Sequence, residues 1–224
     1  YDPTFAYEMA VIVQDGLRRM VAQQEDVFYY ITMMNENYPQ PAMPENAAPG
    51  ILKGLYLLRE SRLGADRPRV QLLGSGAILR EVLAAADLLE GDFGVAADLW
   101  SAPSFTELRR EGLAAERWSL LHPEESRRPS FVEACLANRK GPVVAATDYV
   151  RLYADQIRPF VSRRYVVLGT DGFGRSDRRS QLRHFFEVDR RFIALAALKA
   201  LADEGALPMA QVSAAMSKLD IDPE

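Results

Sequence analysis

The segment that most invites chemistry is Asp171-Gly172-Phe173-Gly174-Arg175-Ser176-Asp177, entered through Gly169-Thr170. It sets two carboxylates, a guanidinium and a hydroxyl among glycines, which permit backbone geometries and close approaches that a side chain would block. It follows an expected strand, Tyr165 to Leu168, and in open α/β sheets ligands and partners are met at the carboxyl ends of strands. Two readings stand. The loop serves a ligand or an interface, with Arg175 pairing to a carboxylate outside it. Alternatively its Asp side chains stitch it to its own backbone and Phe173 plugs the core or an interface. A second turn, Leu73-Gly74-Ser75-Gly76-Ala77, joins a strand to a helix, where backbone N–H groups can face an anion. Leu79 stands where a dinucleotide fingerprint needs a third small residue. The turn is therefore either plain connection or the anion cradle of a small-ligand or regulatory α/β domain.

The other reactive residues offer less. Cys135, in Phe131-Val132-Glu133-Ala134-Cys135-Leu136, reads as a buried structural thiol on an apolar helix face. A lone cysteine cannot close an internal disulfide, and it suits a reducing cytoplasm. His122, before Pro123, and His184, in an expected helix, have no partners at metal-ligand spacing. No Gly-x-Ser-x-Gly elbow or phosphate loop ending in Gly-Lys-Ser/Thr is present, so hydrolase and nucleotidase readings have no anchor. No catalytic, cofactor-binding or metal-binding residue is predicted.

The elements that would position these groups follow from the apolar pattern. The 224 residues are 48% hydrophobic and 26% charged, with 27 basic and 31 acidic side chains and a net charge of −4. That composition builds a core without disulfide support and leaves no basic face for nucleic acid. No apolar run reaches the roughly 20 residues of a membrane span. Apolar spacing at Phe5, Met9, Ile12, Val13 and Leu17 predicts a helix from Tyr1 to Met20, with Asp2 as N-cap and Pro3 in the first turn. Val27 to Met33, β-branched and aromatic, predicts a strand buried on both faces. Pro39, Pro41, Pro44 and Pro49 mark a linker. Beyond it, expected strands at Val70–Leu73, Val95–Trp100, Pro142–Ala146 and Tyr165–Leu168 alternate with helices. Ser104 is placed to cap one of these, with Glu107 at the capping-box position. This predicts a three-layer α/β fold, a mainly parallel sheet with helices on both faces, preceded by one helix and strand of a neighbouring domain. The chain opens on Tyr1, not Met, inside an amphipathic stretch, which predicts a piece of a longer protein.

Several blocks, in one register, carry a resemblance. Tyr1-Asp2-Pro3, Tyr29-Tyr30-Ile31-Thr32, Asn35-Glu36-Asn37-Tyr38, Pro41-Ala42-Met43-Pro44-Glu45, Leu121-His122-Pro123, Gly169 to Asp177 and Phe186-Glu187-Val188-Asp189 resemble the C-terminal quarter of the homodimeric bacterial pyruvate dehydrogenase component. The resemblance implies a transketolase-like arrangement. Residues 1–34 would be the tail of the pyrimidine-binding domain, 35–50 the Pro-rich linker and 51–224 the transketolase-like C-terminal domain. It also implies that thiamine diphosphate and Mg²⁺ act in the parent enzyme with residues upstream, so the segment alone is expected to be inactive and structural. The implied partners are a second copy in a homodimer, the upstream part of the enzyme, and the lipoyl domain and acetyltransferase core of the complex. Nucleic acid and membrane are not among them. The loop Asp171 to Asp177 would border an interface or the channel for the lipoyl group.

Overall fold

The structure is a computed structural model that describes residues 1–223. Five strands form one sheet: β1 (Tyr56–Arg59), β2 (Arg69–Gly74), β3 (Ala96–Ser101), β4 (Val143–Ala146) and β5 (Tyr165–Leu168), in the order β1-β3-β2-β4-β5. β2 runs parallel to β3 and β4, β4 runs parallel to β5, and β1 closes the far edge antiparallel to β3.

Side chains alternate across this sheet, and the alternation builds two cores. Val70, Leu72, Ala97, Leu99, Val144 and Ala146 point to one face, covered by α3 (Leu79–Phe93), α8 (Arg190–Asp203) and α9 (Met209–Lys218). Leu73, Trp100, Val143 and Ala145 point to the other, covered by α4 (Phe105–Leu121), α5 (Phe131–Leu136) and α6 (Arg151–Asp155). β2, β3 and β4 are buried on both faces and, apart from Gln71 and Asp98, which bond each other, their central residues are apolar, as in a covered parallel sheet. The expected three-layer α/β architecture is observed. Among the described residues, no helix is long and apolar enough to cross a membrane.

The helix caps follow from local chemistry. Ser104 accepts from the Glu107 N–H at 3.1 Å and starts α4, but the Glu107 carboxylate does not close the expected box and pairs with Arg110 at 2.8 Å. Asp189 caps α8 by accepting from the N–H groups of Arg191 and Phe192.

The first fifty residues depart from the sequence reading. Helix α1 spans Ala6–Leu17, followed by a wider turn over Arg18–Ala22, and its N-cap is Phe5 rather than Asp2. Glu8 reaches back to accept from the N–H groups of Thr4 and Phe5, which sets the start of the helix, while Asp2 is used elsewhere. Val27 to Met33 is extended but belongs to no sheet. Phe28, Tyr30 and Met33 are exposed, whereas Tyr29 and Ile31 pack with Ile12, Ile51 and Tyr56, so the segment is half-buried at best. Its composition suits a strand, but this chain offers it no ladder of partners beyond the Thr32 N–H bond to the Tyr1 carbonyl and the bond from the Tyr1 nitrogen to the Tyr30 carbonyl. Helix α2 (Ala48–Lys53) begins inside the expected linker, with Pro49 in its first turn, where a missing N–H costs nothing.

Leu72 is fully buried in the central strand. Leu72→Ala is expected to lower unfolding free energy by about 2–5 kcal/mol, read as a lower urea midpoint with an unchanged slope.

Candidate functional site

The carboxyl ends of β2, β3, β4 and β5 open on one edge, and the first residues of the chain lie across it. The Asp2 N–H donates to the Pro103 carbonyl at 2.7 Å and the Asp2 carbonyl accepts from the Gly76 N–H at 3.1 Å. Thr4 Oγ1 donates to the Gly76 carbonyl at 2.8 Å. The Asp2 carboxylate rests on Gly76 itself, where a Cβ would come within 2.4 Å of it. Gly76 also adopts φ +47°, so a side chain is excluded twice. The glycine turn after β2 is thus a seat for the chain's own acid. This overturns the anion-cradle reading of Gly74 to Ala77, since a carboxylate fills the place an anion would take.

Glu8 anchors the same segment more deeply. It is fully buried and accepts from Tyr56 and Ser101 hydroxyls, both at 2.6 Å, in addition to its two backbone donors. Tyr7 joins through the Tyr56 hydroxyl at 2.7 Å. The buried carboxylate is satisfied on every side, as a low-dielectric setting demands.

The loop after β5 has a fixed root and a free tip. Thr170 bonds to Tyr149 and Asp148 carbonyls at 2.8 Å, and Asp171 Oδ1 accepts from the Arg151 N–H at 2.8 Å. From there Gly172, Phe173, Gly174, Arg175, Ser176 and Asp177 are all exposed. Phe173 is 93% exposed and plugs nothing within the chain. Arg175 lies over the Phe185 ring at 4.9 Å and meets no carboxylate among the described residues. Asp177 accepts from the Arg178 N–H at 2.6 Å, so self-stitching holds for this one acid, while Asp171 bonds outside the loop.

A cleft of about 410 Å³ lies between this loop, residues 33–36 and α7 (Arg179–Phe185). Glu36, Arg179 and Arg183 are paired within the chain, whereas Arg175 and Asp148, which also line the cleft, have no ion pair among the described residues. Glu36 accepts from Arg80 at 2.5 Å and pairs with Arg179 at 3.1 Å, and the Arg80 bond above all holds its carboxyl below the usual range. Glu81 is nearly buried, which would raise its pKa. Arg190 at 2.9 Å and Arg183 at 3.0 Å outweigh that burial and hold it down. A second cleft, about 540 Å³, is lined by Tyr29, Tyr30, Tyr149, Tyr153, Glu107 and Arg110. Sequence reasoning missed both acid–arginine clusters and the aromatic cleft, because their members are far apart in the chain.

The remaining candidates are structural. His122 stacks on Trp118 with centroids 4.4 Å apart, and its Nδ1 lies 2.7 Å from the Trp118 carbonyl. His184 Nδ1 lies 2.8 Å from an Arg191 guanidinium nitrogen, beside the Asp189 cap. Cys135 packs against the α4–α6 core, and burial pushes its thiol up to about 11. Among the described residues no group of three or more His, Cys, Asp or Glu gathers to hold a metal ion.

A mainly parallel sheet with one antiparallel edge strand and a loop-built carboxyl edge defines a class. Residues 54–189 match the family model of the transketolase-like TK C-terminal domain, and the chain belongs to that family. Residues 1–41 match the pyruvate dehydrogenase E1 component middle domain. Within the class, the chain aligns with the C-terminal portion of pyruvate dehydrogenase E1 components. It is 63% identical to that of Cupriavidus necator over 223 residues, covering 100% of this chain and 25% of the relative. It is 50% identical to that of Escherichia coli K12 over 224 residues, covering 99% and 25%. The chain thus spans about a quarter of the length of the curated relatives it matches. Among solved structures, a transketolase mutant from Pichia stipitis superposes with TM-score 0.59 at 16% identity, covering 92% of this chain and 25% of the other. A split-gene transketolase, described as an inactive β4 tetramer, gives 0.58 at 18%, covering 89% and 56%. These two likenesses concern the fold.

Burial raises the Asp2 pKa above the ordinary carboxylate value, against the bond from the Thr32 hydroxyl that lowers it. A raised pKa means that the fold favours the protonated acid. Its stabilising contribution is complete below the unfolded-state pKa and is lost as pH rises through the folded one. Asp2→Asn keeps an acceptor for Thr32 and carries no charge. It is expected to raise Tm at pH 7, and the advantage over the unchanged chain should shrink toward pH 4 in thermal melts across that range.

Proposed function

We propose that this chain forms the C-terminal structural part of a pyruvate dehydrogenase that decarboxylates pyruvate and reductively acetylates the lipoyl group of an acetyltransferase core. The observation that carries the reading is the alignment along the whole chain, at 63% and 50% identity, with proteins named pyruvate dehydrogenase E1 component. The proposed enzyme is a cytoplasmic homodimer. In this reading residues 1–34 complete a pyrimidine-binding domain, 35–50 connect it, and 51–224 form the C-terminal domain. Ile12, Tyr29 and Ile31 of the first segment pack with Ile51 and Tyr56 of the last, so the proposed units meet in one small cluster.

Thiamine diphosphate, when bound, supplies an electron sink for the carbanion left by decarboxylation, and the protein's part is orientation and electrostatics. The residues described here do not fit a magnesium-bound diphosphate. The glycine turn after β2 holds the Asp2 carboxylate, which repels an anion, and Glu36 and Glu81 are committed to arginines. We therefore assign the cofactor and Mg²⁺ to the upstream part of the longer enzyme. This chain's role is to hold that part in place, through α1 and the extended segment on one side and the sheet on the other.

Two measurements test the reading together. Titration calorimetry of the 224-residue chain with thiamine diphosphate and Mg²⁺ is expected to show no binding. The longer enzyme ending in this sequence is expected to release CO₂ from pyruvate and acetylate a lipoyl protein only when both are supplied. Micromolar binding by the chain alone, or no turnover of pyruvate by the longer enzyme, would contradict it.

A further inference from the structure

We infer that Asp2 and Ser75 form a pH-operated latch between the first residues of the chain and the turn after β2. The latch is closed while Asp2 Oδ2 carries a proton and donates it to Ser75 Oγ, and it loosens when that proton leaves. The inference goes beyond the function proposed above and rests on it at one point, the uncharged peptide nitrogen that Tyr1 has inside a longer enzyme.

The seat of Asp2 is closed to water. Asp2 is 8% exposed and Ser75, which precedes the turn into α3, is fully buried. Asp2 Oδ1 accepts from the Thr32 hydroxyl at 2.6 Å. Asp2 Oδ2 and Ser75 Oγ are both buried with no hydrogen-bond partner among the described residues. The two oxygens belong to one place. A Cβ on Gly76, the neighbour of Ser75, would stand 2.5 Å from Oδ2, and Ser75 is near enough to act on the Asp2 carboxyl. Native folds rarely leave buried polar atoms without partners. One proton on Oδ2 pairs both, because a neutral carboxyl gains a donor and a hydroxyl oxygen accepts.

The alternative is a Ser75 hydroxyl donating to an ionised Asp2, and the surrounding charges decide between the two. Burial disfavours the charged form of Asp2, and Asp148, after β4, adds a like charge. Thr32 and Ser75 are neutral, as are the phenols of Tyr149 and Tyr153, which feel the Asp2 charge from α6 and the residues before it. The cation that acts on Asp2 is the Tyr1 amine, bound to the Tyr30 carbonyl at 2.7 Å, and inside a longer enzyme that nitrogen is an uncharged amide. The Glu8 carboxyl has four donors, whereas that of Asp2 has one. A buried carboxyl with one donor and a like charge beside it keeps its proton. The latch therefore stabilises the seat fully below the unfolded-state pKa and is lost as pH rises through the higher folded one. Asp2 also bonds the Pro103 carbonyl and the Gly76 N–H, so its release loosens the first residues from both turns at the carboxyl edge.

The test uses the longer enzyme ending in this sequence, with Asp2→Asn and Ser75→Ala. Amide exchange of the peptides holding Thr4 and Gly76 is followed from about pH 4 to about pH 9, each rate divided by the chemical exchange rate at that pH. Infrared difference spectra of wild type against Asp2→Asn read the carboxyl itself. In wild type the divided rate should rise at least about fivefold in one step, with its midpoint above that of an ordinary aspartate, and a neutral-carboxyl band should vanish over the same step. Asp2→Asn, whose amide donates where the neutral acid does and cannot titrate, should stay slow throughout. Ser75→Ala should speed exchange below the step, leave it unchanged above, and shift the carboxyl band, since the acceptor is gone. Absence of the neutral-carboxyl band below the step overturns the latch. A Ser75→Ala loss confined to the alkaline side also overturns it, by making Ser75 a donor to an ionised Asp2, and so does a step that persists in Asp2→Asn. None of these readouts uses turnover, so a failure of the proposed function shows separately, as no release of CO₂ from pyruvate.

Discussion

The architecture depends on two acids from the start of the chain being held at the carboxyl edge of a sheet formed much later. Glu8 binds Tyr56 and Ser101 in the dark between β1, β3 and α1, and Asp2 sits on the glycine turn after β2. A buried carboxylate is costly unless its lone pairs are used: Glu8 has four donors, whereas one Asp2 oxygen has none and burial favours its protonated form. That constraint fixes where α1 starts, ties the first residues to the sheet and closes the turn that most resembles an anion site. It also explains why the edge where α/β folds usually do chemistry is here largely filled by the protein itself.

With the centre of the edge closed, what faces outward is displaced to its flanks. On one side an aromatic cleft lies beneath Tyr30 and Tyr149, and on the other the β5 loop and α7 enclose a cleft whose arginines are mostly neutralised by Glu36 and Glu81. The two flanks differ in kind. α1 and residues 27–33 expose several large apolar side chains, whereas the β5 loop exposes one ring together with Arg175 and Asp177.

The layers were legible in the sequence, and the tertiary acids were not. Strands β2 to β5 can be read to within a residue or two because a covered parallel sheet leaves short, mostly apolar segments, and Ser104 is a cap whose partner lies three residues on. Strand β1 escaped, since four residues after a short helix carry too little period to register. Val27 to Met33 misled for the opposite reason: its residue types fit a strand, but pairing depends on partners, and here there is no ladder. Asp2 has the type and position of an N-cap, yet Thr32 and Gly76 win it from thirty and more residues away, a choice no local pattern encodes. The glycines and charges from Asp171 to Asp177 mark an unusual loop in the sequence. Its division into a pinned root and a free tip depends on Arg151, Tyr149 and Asp148, which lie about twenty residues earlier in the chain.

The central claim is that residues 1–8 are an integral part of the carboxyl edge and not a loose lead-in. Amide hydrogen exchange reads this directly. The N–H groups of Thr4, Phe5 and Gly76, which bond to Glu8 and Asp2, are predicted to exchange as slowly as that of Leu72 in the central strand, while Phe28 and Phe173 exchange quickly. If Thr4 and Phe5, which bond to the Glu8 carboxylate, and Gly76, which bonds to the Asp2 carbonyl, exchanged at the rate of Phe28 and Phe173, the first residues would not be holding the edge, and the account would fail.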